Sequence, residues 1–304
     1  MDLSLFSIKV FLKVAETRSF TQAANDLLLS QPAVSLQIQK IEQLFQTALF
    51  IRTHSGRIRL TEAGKKLHQH AEALMGLQQA VLHDMEKFSA GQLRELRIGA
   101  CCIAGEHLLP LGITAFRELY PEARLALSII KCEEVFKGLL SGDLDIGITG
   151  LAPRNRFLNR KKRLLRAPLV LFETARAQPP TGTVDLRRLR KSRLILREKG
   201  SGCRIEFEKF LAKHDMSLQE FKVVTESDSN EAIKKLVRDG YGISMLPEFM
   251  IRKDIDAGVF AEINLSEGRP MQSFFLSYRN QGDQPKILQE LIALILEHPM
   301  HKSS

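Results

Sequence analysis

The first fifty residues alternate apolar stripes with polar caps, a pattern that predicts three short helices. The first helix is expected to end near Ser19, and this serine is well placed to cap a second short helix that runs to about Leu27. Ser30 can cap a third helix, with Pro32 in its first turn, where a missing N–H costs little. The apolar stripe of the first helix comprises Leu3, Phe6, Val10, Phe11 and Val14.

The third predicted helix has one apolar face and one polar, almost uncharged face. Its apolar positions recur at i, i+4, i+7 and i+11 and are expected to pack into a core. Glutamine and serine on the other face can hydrogen-bond base edges, so this helix suits the major groove of DNA. The predicted core positions are Val34, Ile38, Ile41 and Phe45, and the opposite face holds Pro32, Ser35, Leu36, Gln39 and Gln43.

A short basic hairpin is predicted after the three helices. Residues 51–60 are consistent with two short strands around a glycine-containing turn, which is the pattern of a wing. Its arginines, Arg52, Arg57 and Arg59, are suited to phosphate contacts. With Thr21 of the second helix, Arg52 and Arg57 join the candidate DNA-binding residues, which also include Gln31, Pro32, Ser35, Leu36 and Gln39.

A long helix follows, opening at Thr61-Glu62-Ala63-Gly64. Apolar residues recur along it at intervals of seven, with further apolar residues at intervening positions, and this spacing favours a dimerising helix over one packed inside a single domain. The predicted seam comprises Leu67, Ala71, Leu74, Val81, Met85 and Phe88, interrupted by Gln78.

The remaining two hundred residues alternate predicted strands with predicted helices, and the alternation restarts after a basic stretch. This order predicts two α/β lobes, each with a mostly parallel sheet. Ligands of such sheets bind beyond the carboxyl ends of the strands. Glycines there let backbone N–H groups approach an anion, and a helix starting at Cys203 adds a favourable dipole. The candidate effector-binding residues at these ends are Cys101, Cys102, Ile103, Thr149, Ser201, Gly202, Cys203 and Arg204.

Charge alone does not locate a DNA-binding segment in these 304 residues. Residues 1–88 carry 10 Lys+Arg and 8 Asp+Glu, which gives a net charge of +2. Residues 154–204 carry 16 Lys+Arg and 3 Asp+Glu, which gives a net charge of +13. The basic stretch is either a solvated loop and lobe surface or a positive field that draws anionic effectors toward the cleft. No apolar run reaches bilayer length and no basic leader opens the chain, so we expect a cytoplasmic protein without membrane contact.

The residues do not favour an enzyme or a metal protein. The turn around Ser201 lacks the Gly-x-Ser-x-Gly spacing of a nucleophile elbow, and no phosphate-loop or dinucleotide fingerprint occurs. The four cysteines are too irregularly spaced for a disulfide framework or a zinc knuckle. We therefore expect no catalytic residue, no metal and no cofactor.

The segment SFTQAANDLLLSQPAVSLQIQKIEQLFQTALFIRTHSGRIRLTEAGKKL closely resembles the N-terminal domain of LysR-type transcriptional regulators, without a gap. The resemblance implies DNA contacts from Gln31, Pro32, Ser35 and Arg52. The family often has Arg where this chain has Leu36, and similar regulators usually carry Ser or Thr at the cleft cysteines. The segments ILREKGSGCR and IGACCIAGEHLLP look most like the branch that governs sulfur assimilation or carbon fixation, where effectors are small anions or anionic metabolites.

The same resemblance supplies an architecture for the whole chain. It implies a winged helix-turn-helix over 1–61, a linker helix over 62–90 and an effector-binding domain over 91–304 that resembles the type 2 periplasmic-binding-protein fold. We expect the first lobe over 93–165 and 268–302 and the second over 166–267. The implied partners are promoter DNA, a small anionic effector, a second copy of the chain in dimers and tetramers, and RNA polymerase.

One alternative from another class is a redox or soft-metal sensor. Cys101, Cys102 and Cys203 line the predicted cleft, and Arg204 nearby could lower a thiolate pKa. The competing interpretation is that small polarisable cysteines fill space there.

Overall fold

The computed structural model describes residues 3–52, 58–90, 95–153, 158, 160–177, 182–278 and 285–298, which form two compact units. The N-terminal unit consists of three short helices, a two-stranded wing and a long helix. These are α1 (Leu5–Thr17), α2 (Phe20–Asp26), α3 (Gln31–Phe45), β1 (Phe50–Arg52), β2 (Ile58–Leu60) and α4 (Glu62–Ala90).

Serine caps fix where the three short helices begin. The hydroxyls of Ser4, Ser19 and Ser30 each accept a hydrogen bond from the backbone N–H three residues later, which satisfies a group that the helix leaves without a partner. The predicted starts of the second and third helices are therefore confirmed, as is the proline in the first turn of α3. The buried cluster between these helices comprises Ile8, Val10, Phe11, Val14, Ala23, Ala24, Val34, Ile38, Ile41, Leu49 and Ala71.

Phe45 does not join this cluster, so its prediction as a core residue is wrong. It lies in the last turn of α3, immediately before Gln46 in the left-handed conformation, and its side chain is 44% exposed. The periodicity placed it on the correct face, but the helix extends past the core that α1 and α2 provide.

The predicted seam of α4 divides into two parts. Leu67 packs against the helix-turn-helix core, and Ala71 is fully buried in it, so neither is available to a second copy of the chain. Beyond this point the apolar side chains lie exposed at helical spacing. This apolar strip comprises Leu74, Leu77, Val81, Leu82 and Met85, and the side chain of Phe88 lies outside the described part of the chain.

The second unit alternates strands and helices as predicted and contains an eight-stranded mixed sheet. Its first elements are β3 (Glu95–Ala100), a π-helical turn (Ala104–Leu108), α5 (Leu109–Leu119), β4 (Arg124–Ile129), α6 (Cys132–Ser141), β5 (Ile146–Thr149) and β6 (Arg160–Thr174). The next are β7 (Thr183–Val184), β8 (Arg193–Arg197), α7 (Gly202–Lys213), β9 (Lys222–Ser227), α8 (Asn230–Arg238), β10 (Ser244–Pro247), α9 (Glu248–Asp256), β11 (Phe260–Leu265), β12 (Met271–Tyr278) and α10 (Lys286–Glu297).

Strand β6 connects the two lobes. Residues 160–168 pair antiparallel with β12, which itself pairs with β5, whereas residues 169–174 pair with β10 and β11. In the interpretation of this basic stretch as a solvated loop and lobe surface, the loop is wrong for residues 160–174, which form a strand, although the cations of residues 161–166 are exposed. Five cations among the first seven residues of β6 made the sequence look like a surface loop. The second half of the strand, Leu169–Phe172, is nevertheless buried in the core.

Three parallel strands position the first lobe's part of the cleft. β3 pairs with β4 on one side and with β5 on the other, so the carboxyl ends of β3 and β5 meet at one edge. In the second lobe β8 pairs parallel with β9 and meets β10 through a bridge between Leu194 and Ile243. Within the described ranges, no helix is both long and apolar enough to cross a membrane.

Gly64 allows the start of α4 to approach the segment before the wing. A β-carbon at this position would lie 2.2 Å from the backbone oxygen of Leu49. We predict that Gly64→Ala destabilises the N-terminal unit by roughly 2 kcal/mol, because the added methyl meets backbone rather than a movable side chain. At a helical position where nothing lies close to the added methyl, Gly→Ala instead stabilises the folded state by about 1 kcal/mol. Chemical denaturation of Gly64→Ala beside Glu72→Ala on the same helix measures the difference, and a gain in stability would contradict the close approach.

Candidate nucleic-acid interface and effector cleft

The outer face of α3 presents polar and apolar groups side by side. Gln31, Pro32 and Gln39 are exposed and Ser35 is half-buried. The side-chain amide of Gln31 donates to the Ser35 hydroxyl over 2.9 Å, so the two groups are held in one orientation before any DNA is bound. Such pre-oriented hydrogen-bonding groups suit contacts to base edges or phosphates.

Leu36 lies on this face and has no place in the core. Its side chain is 50% exposed and lies outside the buried cluster of the domain. An apolar side chain exposed on a recognition helix can contact a thymine methyl group.

A groove of about 230 Å³ separates α3 from the wing. Ser35 and Gln39 line one wall, and Ile51 and Ile58 line the other. Glu42, also in the wall, accepts hydrogen bonds from the backbone N–H groups of Leu49 (2.7 Å) and Phe50 (3.4 Å). This carboxylate therefore ties the wing to the recognition helix. Glu42 was not among the predicted residues, although an acid on a helix that faces DNA phosphates indicates a structural role for its carboxylate.

The other predicted DNA contacts are only partly described. Thr21 is exposed in the first turn of α2. Arg52 ends β1, but its side chain lies outside the described part of the chain, as does the whole of Arg57. Arg59 is exposed on β2.

In the second unit, the predicted cleft residues of the first lobe lie where β3 ends. The backbone N–H of Cys101 bonds to Ile148, and Cys102 begins the turn into the π-helical segment. The Cys102 thiol donates to Glu106 over 3.2 Å and accepts from the Asn230 side-chain amide over 3.2 Å. Because Asn230 starts α8 in the second lobe, this hydrogen bond joins the two lobes.

Arg197 lies at the centre of this contact and was not predicted. Its guanidinium donates two bonds to Glu198 and one to the Asn230 side-chain oxygen, and it is almost fully buried. It stands at the end of β8, three residues before the glycine that opens the turn around Ser201. The sequence carries no signal for this role, because the burial of Arg197 depends on its contact with α8.

The first turn of α7 meets the first lobe through glycine. A β-carbon on Gly202 would lie 2.6 Å from the backbone oxygen of Gly150, which follows β5. Gln272 of β12 donates to that same oxygen, while its own side-chain oxygen is buried without a hydrogen-bond partner among the described residues. Ser201 caps α7 by accepting from the backbone N–H of Arg204. The N–H groups that open this helix have no intrahelical acceptor and can receive an anion.

Three predicted cleft residues have other partners in the structure. Ile103 is buried in the hydrophobic core, and the Thr149 hydroxyl donates to the backbone of Leu151 over 2.7 Å. The Arg204 guanidinium forms ion pairs with Glu208 and Glu226, both at 2.9 Å. These side chains support the cleft walls instead of presenting free groups to a ligand.

The cysteines differ sharply in acidity. A hydrogen bond from Cys132, helped by the backbone N–H groups of Ala104 and Gly150, lowers the pKa of Cys101 to about 7, and the same bond raises the pKa of Cys132. Burial raises the pKa of Cys102 and Cys203 to about 12 each. The cation that acts on the thiols is Arg197, which corrects the expectation that Arg204 does so.

A histidine marks another contact between the lobes. His107, in the π-helical turn, lies edge-on to the Phe249 ring of α9, with centroids 5.9 Å apart. Burial lowers the pKa of His107. Within the described residues, no group of histidine, cysteine and carboxylate side chains could hold a metal ion.

Two family models match the chain, one for each of its parts. The model of the LysR substrate binding domain matches residues 89–299, and that of the bacterial regulatory helix-turn-helix protein, lysR family, matches residues 5–65. The chain belongs to the LysR family. The resemblance drawn from the helix-turn-helix segment is thereby confirmed, as is the predicted fold class.

Individual relatives extend along the whole chain. The uncharacterized HTH-type transcriptional regulator YeiE of Escherichia coli (strain K12) is 32% identical over 96% of this chain and 97% of its own length. The RuBisCO operon transcriptional regulator of Allochromatium vinosum is 28% identical over 92% of this chain and 91% of its own length. Its name agrees with the carbon-fixation branch. The crystal structure of full-length BenM, R156H mutant, has a TM-score of 0.57 at 22% identity and covers 96% of this chain and 95% of its own, which shows the shared fold.

This LysR-family chain is a DNA-binding transcriptional regulator with an effector-binding domain. The thiol-sensing alternative is not favoured. The family is one of transcriptional regulators that are not known as enzymes.

The exposed position of Leu36 leads to a prediction about base contact. We predict that Leu36→Ala weakens binding to a selected operator by roughly 1 kcal/mol or more, with the loss concentrated at one A·T pair per half-site. Leu36→Arg is expected to strengthen binding to all DNA and to steepen its salt dependence. Affinities across single-base operator variants, with thermal stabilities, measure both effects, and Leu119→Ala in the sensor domain is the control. A uniform loss on every operator together with unfolding would assign Leu36 to the core.

The Gly202 contact leads to a prediction about the cleft. We predict that Gly202→Ala pushes the first turn of α7 away from Gly150, costs about 1–3 kcal/mol of stability, and removes the thermal shift that an effector produces. DNA affinity without effector should stay within about twofold. The control is Gly258→Ala, where φ is +70° but nothing lies within 4 Å of the added carbon. Thermal-shift assays with sulfate, phosphate and small carboxylates test it, and an undiminished shift would show that this contact does not shape the site.

Proposed function

We propose that the chain acts as a homodimer joined through α4, in which two copies of α3 read the half-sites of an inverted repeat in promoter DNA. The supporting observation is the apolar strip of α4, whose leucine, valine and methionine side chains are each 40% exposed or more. Leu74, Leu77 and Val81 are spaced by three and four residues, which places them on one side of the helix. A second copy of the helix supplies a matching apolar surface, as two-fold symmetry requires.

We further propose that a small anionic effector binds between the lobes and controls DNA binding or promoter activation. The nearby arginines give limited support, because Arg197 is paired with Glu198, and Arg204 with Glu208 and Glu226. The support comes from the N–H groups at the start of α7, which have no intrahelical acceptor. An oxyanion held by such backbone dipoles needs no unpaired cation.

The remaining partners follow from this mode of action. The protein is proposed to work in the cytoplasm, where promoter DNA is accessible, to pair dimers into tetramers through the sensor domains, and to contact RNA polymerase when it activates. No cofactor other than the effector is proposed.

Substitutions in the apolar strip test the dimer. We predict that Leu77→Glu combined with Val81→Glu converts the protein to monomer at micromolar concentration, because carboxylates facing each other across the seam are desolvated and repel. Affinity for a two-half-site operator should fall at least tenfold, and affinity for one half-site should change little. The control is Lys66→Glu, which adds an acid on an exposed part of α4 outside the strip. Sedimentation velocity and fluorescence anisotropy measure both. An unchanged sedimentation coefficient in the double variant would refute a dimer through this helix.

A further inference from the structure

The first half of β6 carries a row of exposed cations. Lys161, Lys162, Arg163 and Arg166 are all exposed, and we call them the basic strip. No carboxylate occurs in β6 before Glu173. In an extended strand these four side chains span about 16 Å at roughly 3.3 Å per residue.

The neighbouring strand offers the basic strip no counter-charge. Lys161, Lys162, Arg163 and Arg166 are in register with Ser277, Leu276, Phe275 and Ser273 of β12, and β12 contains no charged residue from Met271 to Tyr278. On the other edge, β10 and β11 pair only with residues 169–174 of β6. Among the described residues, therefore, no strand covers that edge of residues 160–168, and the cations of the basic strip form no ion pair.

Many other cations of the sensor domain are neutralised by an acid. Such ion pairs join Arg190 to Glu220, Arg197 to Glu198, Arg204 to Glu208 and Glu226, Lys209 to Glu206, Lys234 to Asp254, Arg252 to Glu248, and Arg269 to Glu262. Other exposed cations, such as Arg187 and Lys222, also form no ion pair among the described residues, but the basic strip places four such cations within six residues of one strand. Positive charges this close together repel one another, which a folded protein tolerates more easily when a polyanion binds them.

We propose that the basic strip is a second DNA-contacting surface, which binds the phosphate backbone outside the segment read by α3. Successive side chains of a strand lie on opposite faces, so Lys161 and Arg163 share one face and Lys162 lies on the other. Duplex DNA carries one negative charge per about 1.7 Å of its axis, so long cationic side chains spread along one strand can meet several phosphates. A small anion instead requires convergent groups in a concave site, and these side chains are exposed along the strand. Lysines can also protect a strand edge from pairing with other chains, but that role needs no contact with DNA.

The test compares two triple variants of the full-length chain on DNA of random sequence. K161Q/K162Q/R163Q removes three charges from the basic strip. The matched control, R187Q/R188Q/K191Q, removes three exposed charges from the 3₁₀ segment Leu186–Lys191, where Asp185 and Glu267 already supply acids. Fluorescence anisotropy titrations use duplexes of about 25 and about 60 base pairs at salt concentrations from about 50 to about 200 mM. For each variant they give the salt slope, which is the change in the logarithm of the binding constant with the logarithm of the salt concentration.

We expect the strip variant to lower the magnitude of the salt slope on the long duplex by about 2 to 3, close to 0.9 for each lost phosphate contact, with a smaller change on the short duplex. The control variant should match the wild type. The charge-preserving variant K161R/K162R/R163K should retain the wild-type slope, which separates charge from side-chain shape and from any folding defect.

Three results would overturn the proposal. Equal slope changes in the strip and control variants would mean that only net charge matters. An unchanged slope with increased aggregation of the strip variant would show that the cations protect the strand edge. An unchanged slope with a reduced thermal shift in sulfate would show that they attract small anions to the cleft. The same titrations measure the affinity of the wild type for DNA. If the wild type itself does not bind, DNA binding by the protein fails as a whole, and this result differs from a change seen only in the strip variant.

Discussion

The sensor domain depends on one strand that belongs to both lobes. Up to residue 168, β6 pairs with β12 of the first lobe, and from residue 169 it pairs with β10 and β11 of the second lobe. One continuous strand is therefore hydrogen-bonded into both lobes. The carboxyl ends of β3 and β5 then face the start of α7 across a narrow seam, where the backbone oxygen of Gly150 leaves no room for a side chain on Gly202. The cleft exists because this shared strand fixes the lobes at their base, while a few contacts join them at their edge: the Cys102–Asn230 hydrogen bond and the packing of His107 on Phe249.

Those edge contacts show how the cleft can respond to a ligand. Cys102 and Asn230 share one hydrogen bond across the seam, and Asn230 is held in turn by Arg197. Because Arg197 is also bonded to Glu198, an anion that enters competes with a carboxylate already in place. A ligand that binds one arrangement of the lobes better than another shifts their population by its differential affinity, and this seam is where such a difference can arise.

Local signals predicted the helix-turn-helix almost completely, whereas contacts distant in sequence limited the rest. Ser19 and Ser30 act through N–H groups three residues away, so their caps could be predicted from neighbouring residues. The heptad pattern of α4 could not show that Ala71 is buried in its own domain, since burial depends on α1. The cations of residues 160–163 concealed a strand, because charge favours a surface loop until the pairing with β12 is known. Arg197 and Asn230 were missed because tertiary structure alone brings β8 and α8 to the thiols.

In the proposed dimer, two copies of α3 read bases together. Selection of bound sequences from a random duplex library by the wild-type protein tests this most directly. The account predicts one enriched inverted repeat, with half-sites separated by one helical turn, about 10 base pairs, or a multiple of it, as two-fold symmetry requires. Recovery of no common sequence, or of a single site without internal symmetry, would contradict it.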